Sequence, residues 1–168
     1  MRDAAPDLLE PVVGFRAWRI IEDRLYSPYI PVRWPERVHH ARCYPANRAL
    51  LFGDGWLEEP HGSPHPACKC GIYADHRPVT DRYFGEFDWA AGIVTVWGRV
   101  EVHADGLRAE HAEVRALAIK PGWSARRADG VRRVAAALGV PAVLEGDLEA
   151  VAGGLGAPIP PSLLPRAA

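Results

Sequence analysis

The chain has 168 residues, of which 48% are hydrophobic and 24% charged, and this balance is typical of a folded globular domain. Its formal net charge is −1 and its pI is near 6.7, which argues against a general nucleic-acid binder or a protein held on an anionic membrane, because both are usually basic. Arginine far outnumbers lysine, and alanine, glycine and proline are abundant, as is typical of a GC-rich bacterial genome.

The start of the chain and its cysteines indicate a compartment. The first seven residues contain no apolar segment like that of a secretory signal, and no run of about 18 apolar residues could cross a membrane. Three cysteines are an odd number, which fits poorly with a complete set of disulfides. We therefore expect a cytoplasmic protein with reduced thiols and no membrane contact.

The first half of the chain predicts three extended segments. Val12–Ile21 is rich in β-branched and aromatic residues and predicts a strand. Arg24–Arg33 contains Pro28 and Pro31, which favour the edge of a sheet. Val38–Cys43 predicts a further short strand. By contrast, Leu50–Gly71 is interrupted by glycine and proline, and a structureless loop of about 20 residues is unusual in a compact domain unless something anchors it.

The clearest strand is Ile93–His103, in which valines alternate with polar residues as in a half-buried antiparallel strand. Asp105 and Gly106 predict a turn, and Val114–Ile119 predicts a second strand after a helical turn at Ala109–Glu113. The polar residues around the turn are interpreted as a solvated hairpin end, with a phosphate pocket as the alternative; they are His103, Arg108, Glu110 and His111.

The last third changes to a helical pattern. Asp129 is a plausible N-cap for a helix at Val131–Leu138, and Gly139 ends it. A strand at Val140–Leu144 and a brief helix at Asp147–Val151 are predicted to follow. The fold class is therefore α+β: a mainly antiparallel sheet, flat or curved into a half-barrel, with a metal-anchored irregular segment and C-terminal helices. The predicted domain covers residues 12–152, between a flexible arm at 1–11 and a Gly/Pro-rich tail at 153–168.

Three cysteines and a histidine are candidate metal ligands. Thiolate and imidazole are natural ligands of tetrahedral zinc. Cys68 and Cys70 are two residues apart, so in an extended segment both side chains point to one face, about 6–7 Å apart at Cα. Gly71 follows where the backbone must turn away. The pattern predicts a structural Zn²⁺ bound by these two cysteines together with Cys43 and His61.

The pattern leaves the fourth ligand open. His61 is preferred and His65 is second, while His39 and His40 lie just before Cys43. The alternative to a metal site is a buried core thiol at Cys43 that is unrelated to the other two cysteines. An iron–sulfur cluster is disfavoured because it normally takes four cysteines.

A longer pattern also surrounds these residues. It consists of Gly14-Phe-Arg-Ala-Trp18, then Cys43, then His61-x-x-Pro64-x-x-x-Cys68-x-Cys70-Gly71-Ile72-Tyr73-Ala74, then Val96-Trp97-Gly98-Arg99-Val100 and Leu107-Arg108-Ala109-Glu110. In this pattern, over roughly residues 14 to 145, the chain resembles a family of small actinobacterial proteins to which no activity is assigned. The resemblance implies His61 rather than His65 as the ligand, and it implies no function.

Three functions are compatible with the sequence. The first, which we favour, is a zinc-stabilised intracellular interaction module with an unknown protein partner and no enzymatic activity. The second is an enzyme: either a zinc hydrolase with an open metal position, or a transferase with a pocket beside the sheet. The hydrolase would need a carboxylate base such as Glu58, Glu59 or Asp75, and Cys43 with His39 or His40 could instead form a nucleophile–base pair.

The third function is that of a nucleic-acid-binding regulator that uses a basic patch, although the net charge argues against nucleic acid as a partner. The patch consists of Arg126, Arg127, Arg132 and Arg133.

Overall fold

A computed structural model describes residues 11–30, 32–43, 59–78 and 88–165 of the chain. Within these ranges the fold is mixed α+β with a predominantly antiparallel sheet, which confirms the predicted class. The strands are β1 (Val12–Ile21), β2 (Arg24–Tyr26), β3 (Arg33–Trp34), β4 (Val38–His40), β5 (Ile72–Asp75), β6 (Asp88–Val102), β7 (Gly106–Ile119) and β8 (Ala142–Leu144), and the helices are α1 (Ala125–Leu138) and α2 (Leu148–Gly153).

The sheet is built on the long β6–β7 hairpin and curves partly into a ring. β1 pairs with β6 along nearly its whole length and meets β5 where Phe15 lies opposite Asp75. β5 in turn pairs with the first residues of β7, and this closes the circuit β1–β6–β7–β5. β2 and β3 extend the sheet beyond β1, so the proline-containing ribbon does lie toward an edge. β4 pairs with the middle of β7, and β8 is a parallel addition to its end.

The long strands are buried on both faces over much of their length. One hydrophobic core contains Trp18 and Val94 with the apolar face of α1, and a second contains Phe15 and Ile93 with Leu148 of α2. The alternation in β6 therefore predicts one buried face correctly but not the other, because α2 covers the second face near Ile93. From Trp97 to Arg99, β6 is exposed.

Two local predictions are wrong. Residues Ala109–Glu113 are not helical: β7 runs unbroken from Gly106, because β6 pairs along one edge and β5 and β4 along the other. Helix α1 begins at Ala125 rather than after Asp129, and its N-cap is Ser124, whose hydroxyl accepts a hydrogen bond from the Arg127 amide. Gly139 ends α1 in the left-handed conformation, as expected.

The segment after α2 contacts the sheet. The Val13 amide donates to the carbonyl of Ala157, and the side chain of Ile159 is buried in the first core. Residues 1–10 of the predicted arm and 166–168 of the predicted tail lie outside the described residues. No helix in the described ranges combines the length and apolar character needed to cross a membrane.

Candidate metal centre

The topology brings distant cysteines to one point on β7. Cys43 lies three residues after β4, whose last residue, His40, is opposite His111. Cys70 lies two residues before β5, whose first residue, Ile72, is opposite Ala109. β4 and β5 thus add to neighbouring positions along the same edge of β7. Because one strand ends and the other begins there, cysteines separated by 25 residues or more meet.

The four predicted ligands form one compact group. One ligand atom from each of Cys43, His61, Cys68 and Cys70 lies within 4.8 Å of all the others, and the group contains no carboxylate among the described residues. The sulfur atoms of Cys43 and Cys68 are 3.7 Å apart, which is far longer than a disulfide bond of about 2.05 Å. The sulfur of Cys70 is 3.5 Å from Nε2 of His61. The chain therefore contains a Cys₃His group compatible with metal binding.

Two of these separations, 3.7 Å between sulfurs and 3.5 Å between sulfur and nitrogen, are compatible with a tetrahedral metal site such as that of zinc. An ion bonded to sulfur at about 2.3 Å and to nitrogen at about 2.0–2.1 Å separates two sulfurs by about 3.8 Å and a sulfur from a nitrogen by about 3.6 Å. Cys68 and Cys70 are buried, whereas Cys43 and His61 are partly exposed. All three cysteines are free thiols. The arrangement can hold one tetrahedral cation near the surface of the sheet.

His61 is oriented by its own loop. Its Nδ1–H donates to the carbonyl oxygen of Glu59 at 2.6 Å, and Nε2 faces the sulfurs. The hydrogen bond to Glu59 raises the pKa of His61. A metal-bound histidine usually donates a hydrogen bond from the N–H of its second ring nitrogen in this way, which fixes the tautomer. His65 lies beside His61, with ring centroids 5.0 Å apart, but its Nδ1 accepts from the Ala67 amide and it is not part of the group.

The buried side chain of Arg108 supports the backbone of Cys68 and Cys70. The sequence did not predict this role. The Arg108 side chain is only 8% exposed, and its guanidinium donates to the carbonyl oxygens of Cys68 and Cys70 and to the carboxylate of Glu101. A solvated hairpin end is therefore the wrong interpretation for this residue. Its inward position on β7, between the apolar Leu107 and Ala109, gave no local signal that it would be buried.

Glycine and arginine complete the support of the loop. Gly71 has φ of +130°, and a Cβ there would meet Pro64 at 3.2 Å and Arg108 at 3.3 Å. From the neighbouring strand, the Arg99 guanidinium donates to the carbonyl of Pro64 at 2.9 Å. The described part of the irregular segment, residues 59–71, is thus tied to β6 and β7 by two arginines in addition to the cysteines.

The residues proposed as a cysteine nucleophile and its histidine base make other contacts. Burial, followed by the hydrogen bond and charge of Cys68, raises the pKa of the Cys43 thiol to about 12, so without a cation it is protonated at neutral pH. His39 stacks on Trp34 with centroids 4.4 Å apart, and His40 contacts His111. Of the carboxylates considered as bases, Glu58 lies outside the described residues, and Glu59 contacts the site through its carbonyl oxygen.

The basic patch on α1 is partly neutralised. Arg132 pairs with Asp129, and Arg133 pairs with Asp23 at the β1–β2 turn. The Arg127 guanidinium lies 3.9 Å from the centre of the Trp123 ring. Arginine side chains that pair with carboxylates and cover an aromatic ring contribute less to a phosphate-binding surface than their number suggests.

An open surface pocket adjoins the cysteine pair. Its volume is about 390 Å³, and it is lined by Pro66, Ala67, Cys68, Lys69, Tyr73, His103 and Arg108. None of these lining residues is acidic. The Tyr73 hydroxyl donates to the Lys69 carbonyl, so the turn between the last two cysteines forms one wall of the pocket.

No protein-family model matches the chain, and neither a curated protein nor a solved structure similar to it was found. The resemblance to the actinobacterial family therefore stays a prediction that rests on its motif residues.

Proposed function

We propose that this protein is a zinc-stabilised interaction module of the cytoplasm, in which Cys43, His61, Cys68 and Cys70 bind one structural Zn²⁺. The observation that carries the proposal is the match between the 3.7 Å sulfur–sulfur and 3.5 Å sulfur–nitrogen separations and the edges of a zinc tetrahedron. Three cysteines, an odd number, fit a reducing compartment better than a complete set of disulfides.

A structural role follows from the ligand count. Four protein ligands fill a tetrahedron, whereas a catalytic zinc keeps one position for water or substrate. Three thiolates also place much negative charge on the ion, which makes it a weak Lewis acid. The ion would fasten the irregular segment to the ends of β4 and β5, and metal-binding energy would become folding energy.

We propose that the module's partner is a protein with an acidic segment that enters the open pocket beside the metal. Lys69 and Tyr73 are exposed there, and none of the described lining residues carries a carboxylate. Because Cys68 and Lys69 form part of the wall, loss of the metal would remove the binding surface.

The zinc site is tested on protein purified without added metal. We expect about one zinc per chain, with an absorption-edge spectrum that fits three sulfurs and one nitrogen. Removal of the ion by a chelator should lower the melting temperature, and re-addition of zinc should restore it. An empty protein that keeps full stability would refute the metal site, and an exchangeable water on the ion would favour the enzyme.

The partner is tested by photocrosslinking in cells that produce the protein. A photoreactive residue at position 69 should give a discrete adduct that disappears in the Cys70→Ser variant. The same residue at position 149, an exposed site on α2, is the control. Equal adducts from both positions, or adducts that survive Cys70→Ser, would contradict the proposed surface.

A further inference from the structure

A second group of metal-ligating side chains lies where β4 meets β7. His40 and His111 are directly opposite each other in the two strands. Their Nδ1 atoms are 2.7 Å apart, and their rings are nearly perpendicular, with centroids 4.7 Å apart. Neither residue belongs to the Cys₃His group.

A carboxylate stands behind one of these histidines. Oε1 of Glu110 is 3.5 Å from Nε2 of His111, and Oε2 of the same side chain accepts a hydrogen bond from the Arg99 amide at 3.0 Å. A carboxylate at Nε2 favours the tautomer that carries its hydrogen there, so the lone pair of Nδ1 is left to face His40. Metal-binding histidines characteristically have such a carboxylate partner on the second nitrogen.

The backbone of β6 makes room for this arrangement. Gly98 has φ of +79° and lies at the bulge where the register with β7 shifts by one residue. A Cβ on Gly98 would come within 2.8 Å of both the Glu110 carboxylate and the His111 ring. Any other residue would therefore displace the two side chains. The bulge also places Trp97 beside His111, with ring centroids 5.5 Å apart.

We infer that His40 and His111 form a second cation site, in which the two Nδ1 atoms bind one divalent transition-metal ion. At a metal–nitrogen distance of about 2.0–2.1 Å, two nitrogens are about 2.9 Å apart at 90° but about 3.3 Å apart in a tetrahedron. The two Nδ1 atoms, which are 2.7 Å apart and at hydrogen-bond distance, would therefore need to separate by only a few tenths of an ångström to share an ion in either geometry. Imidazole nitrogens suit Ni²⁺ and Cu²⁺ as well as Zn²⁺, and the affinity of such ligands for Ni²⁺ and Cu²⁺ is high among divalent first-row metals.

The test uses Ni²⁺, which does not oxidise thiols, on protein whose Cys₃His group is already loaded with zinc. We expect one Ni²⁺ per chain by calorimetry and quenching of Trp97 fluorescence, since that ring is next to His111. His40→Ala and His111→Gln should each weaken binding at least about tenfold, and Glu110→Gln should weaken it about 10- to 100-fold. Trp97→Phe should abolish the quenching but leave the calorimetric signal.

The matched control is His103→Ala, which removes an exposed histidine from the end of the same hairpin. It should leave Ni²⁺ binding unchanged. Unchanged melting temperatures for the His40 and His111 variants without nickel would show that the fold is kept; His40 is exposed, so at least that variant should fold. Absence of nickel binding in the wild type, or full binding in His40→Ala, would overturn the inference and leave a hydrogen-bonded histidine pair.

Discussion

Arg108 on β7 donates a hydrogen bond to the carbonyl oxygen of Cys70 at 3.2 Å. The contact joins the buried face of the sheet to the turn that carries two of the three thiols. It also means that part of the metal loop is held in place by protein contacts alone. Loss of the ion and loss of Arg108 should therefore damage the loop in different ways.

The first prediction concerns Arg108→Met, which keeps the length of the side chain but removes the charge. It leaves the Glu101 carboxylate and two carbonyls without their donor, so we expect the free energy of unfolding to fall by about 3 kcal/mol. Urea denaturation measures this. The control, Arg132→Met, breaks an exposed pair and should cost less than about 1 kcal/mol. Similar losses for both variants would contradict the anchoring role.

The second prediction separates the two neighbouring histidines. His61→Ala should lower zinc retention after dialysis against a weak chelator, because it removes the ligand atom that faces Cys70. His65→Ala should retain zinc like the wild type, since its Nδ1 is hydrogen-bonded within its own turn. Elemental analysis decides between them. If only His65→Ala lost the metal, the assignment of the fourth ligand would be wrong.

The third prediction concerns Cys70→Ser in the presence and absence of zinc. With zinc, the variant should be less stable by at least about 3 kcal/mol, because ligand loss weakens metal binding that is coupled to folding. At this chain length, that loss corresponds to a melting temperature about 6–12 °C lower. Without zinc, wild type and variant should melt within a few degrees of each other. A difference that persists in the metal-free proteins would point to packing of the thiol instead.

The fourth prediction uses glycines with positive φ. Gly71→Ala should cost about 1–3 kcal/mol for the strained backbone and more for the contacts with Pro64 and Arg108. Gly122→Ala is a control with φ of +86° but open space around the added methyl, so it should show only the backbone cost. Thermal unfolding compares them. Equal destabilisation would show that the loop tolerates a side chain at position 71.

The fifth prediction concerns pH. Burial, followed by the charge of Arg16 and then the nearby His40 and Arg42, lowers the pKa of His39 to about 4, whereas in the unfolded chain it is about 6.5. The unfolded state therefore binds more protons between these values. The contribution of neutral His39 is present above pH 6.5 and is lost as pH falls toward 4.

The measurement is the pH dependence of stability for wild type and His39→Gln. The wild type should lose stability faster than the variant between pH 6.5 and 4. Because both proteins keep the same metal ligands, release of the ion in acid affects them alike, and their difference reports on His39. Parallel curves would mean that His39 titrates normally in the folded protein.

The sequence by itself determined the strand at Val12–Ile21 and the three cysteines of the Cys₃His group, and it left the fourth ligand between His61, which was preferred, and His65. Both are local signals: strand formers cluster over ten residues, and soft ligands are rare enough to be noticed. Gly71, which follows Cys70, was also informative. Where the backbone turns away from two ligands, a residue without a side chain is favoured. None of these signals required knowledge of a distant contact.

Only the tertiary structure decided how Cys43 reaches Cys68, that Arg108 is buried, and that His40 faces His111. Each depends on the register in which β4 and β5 pair with β7. The periodicity of one strand shows which of its faces is buried, but it does not show which distant strand it pairs with or in what register. The start of α1 also depended on tertiary contacts. Ser124 and Asp129 are both acceptable N-caps by residue type, and the packing of Ala128 in the first core favours the earlier start.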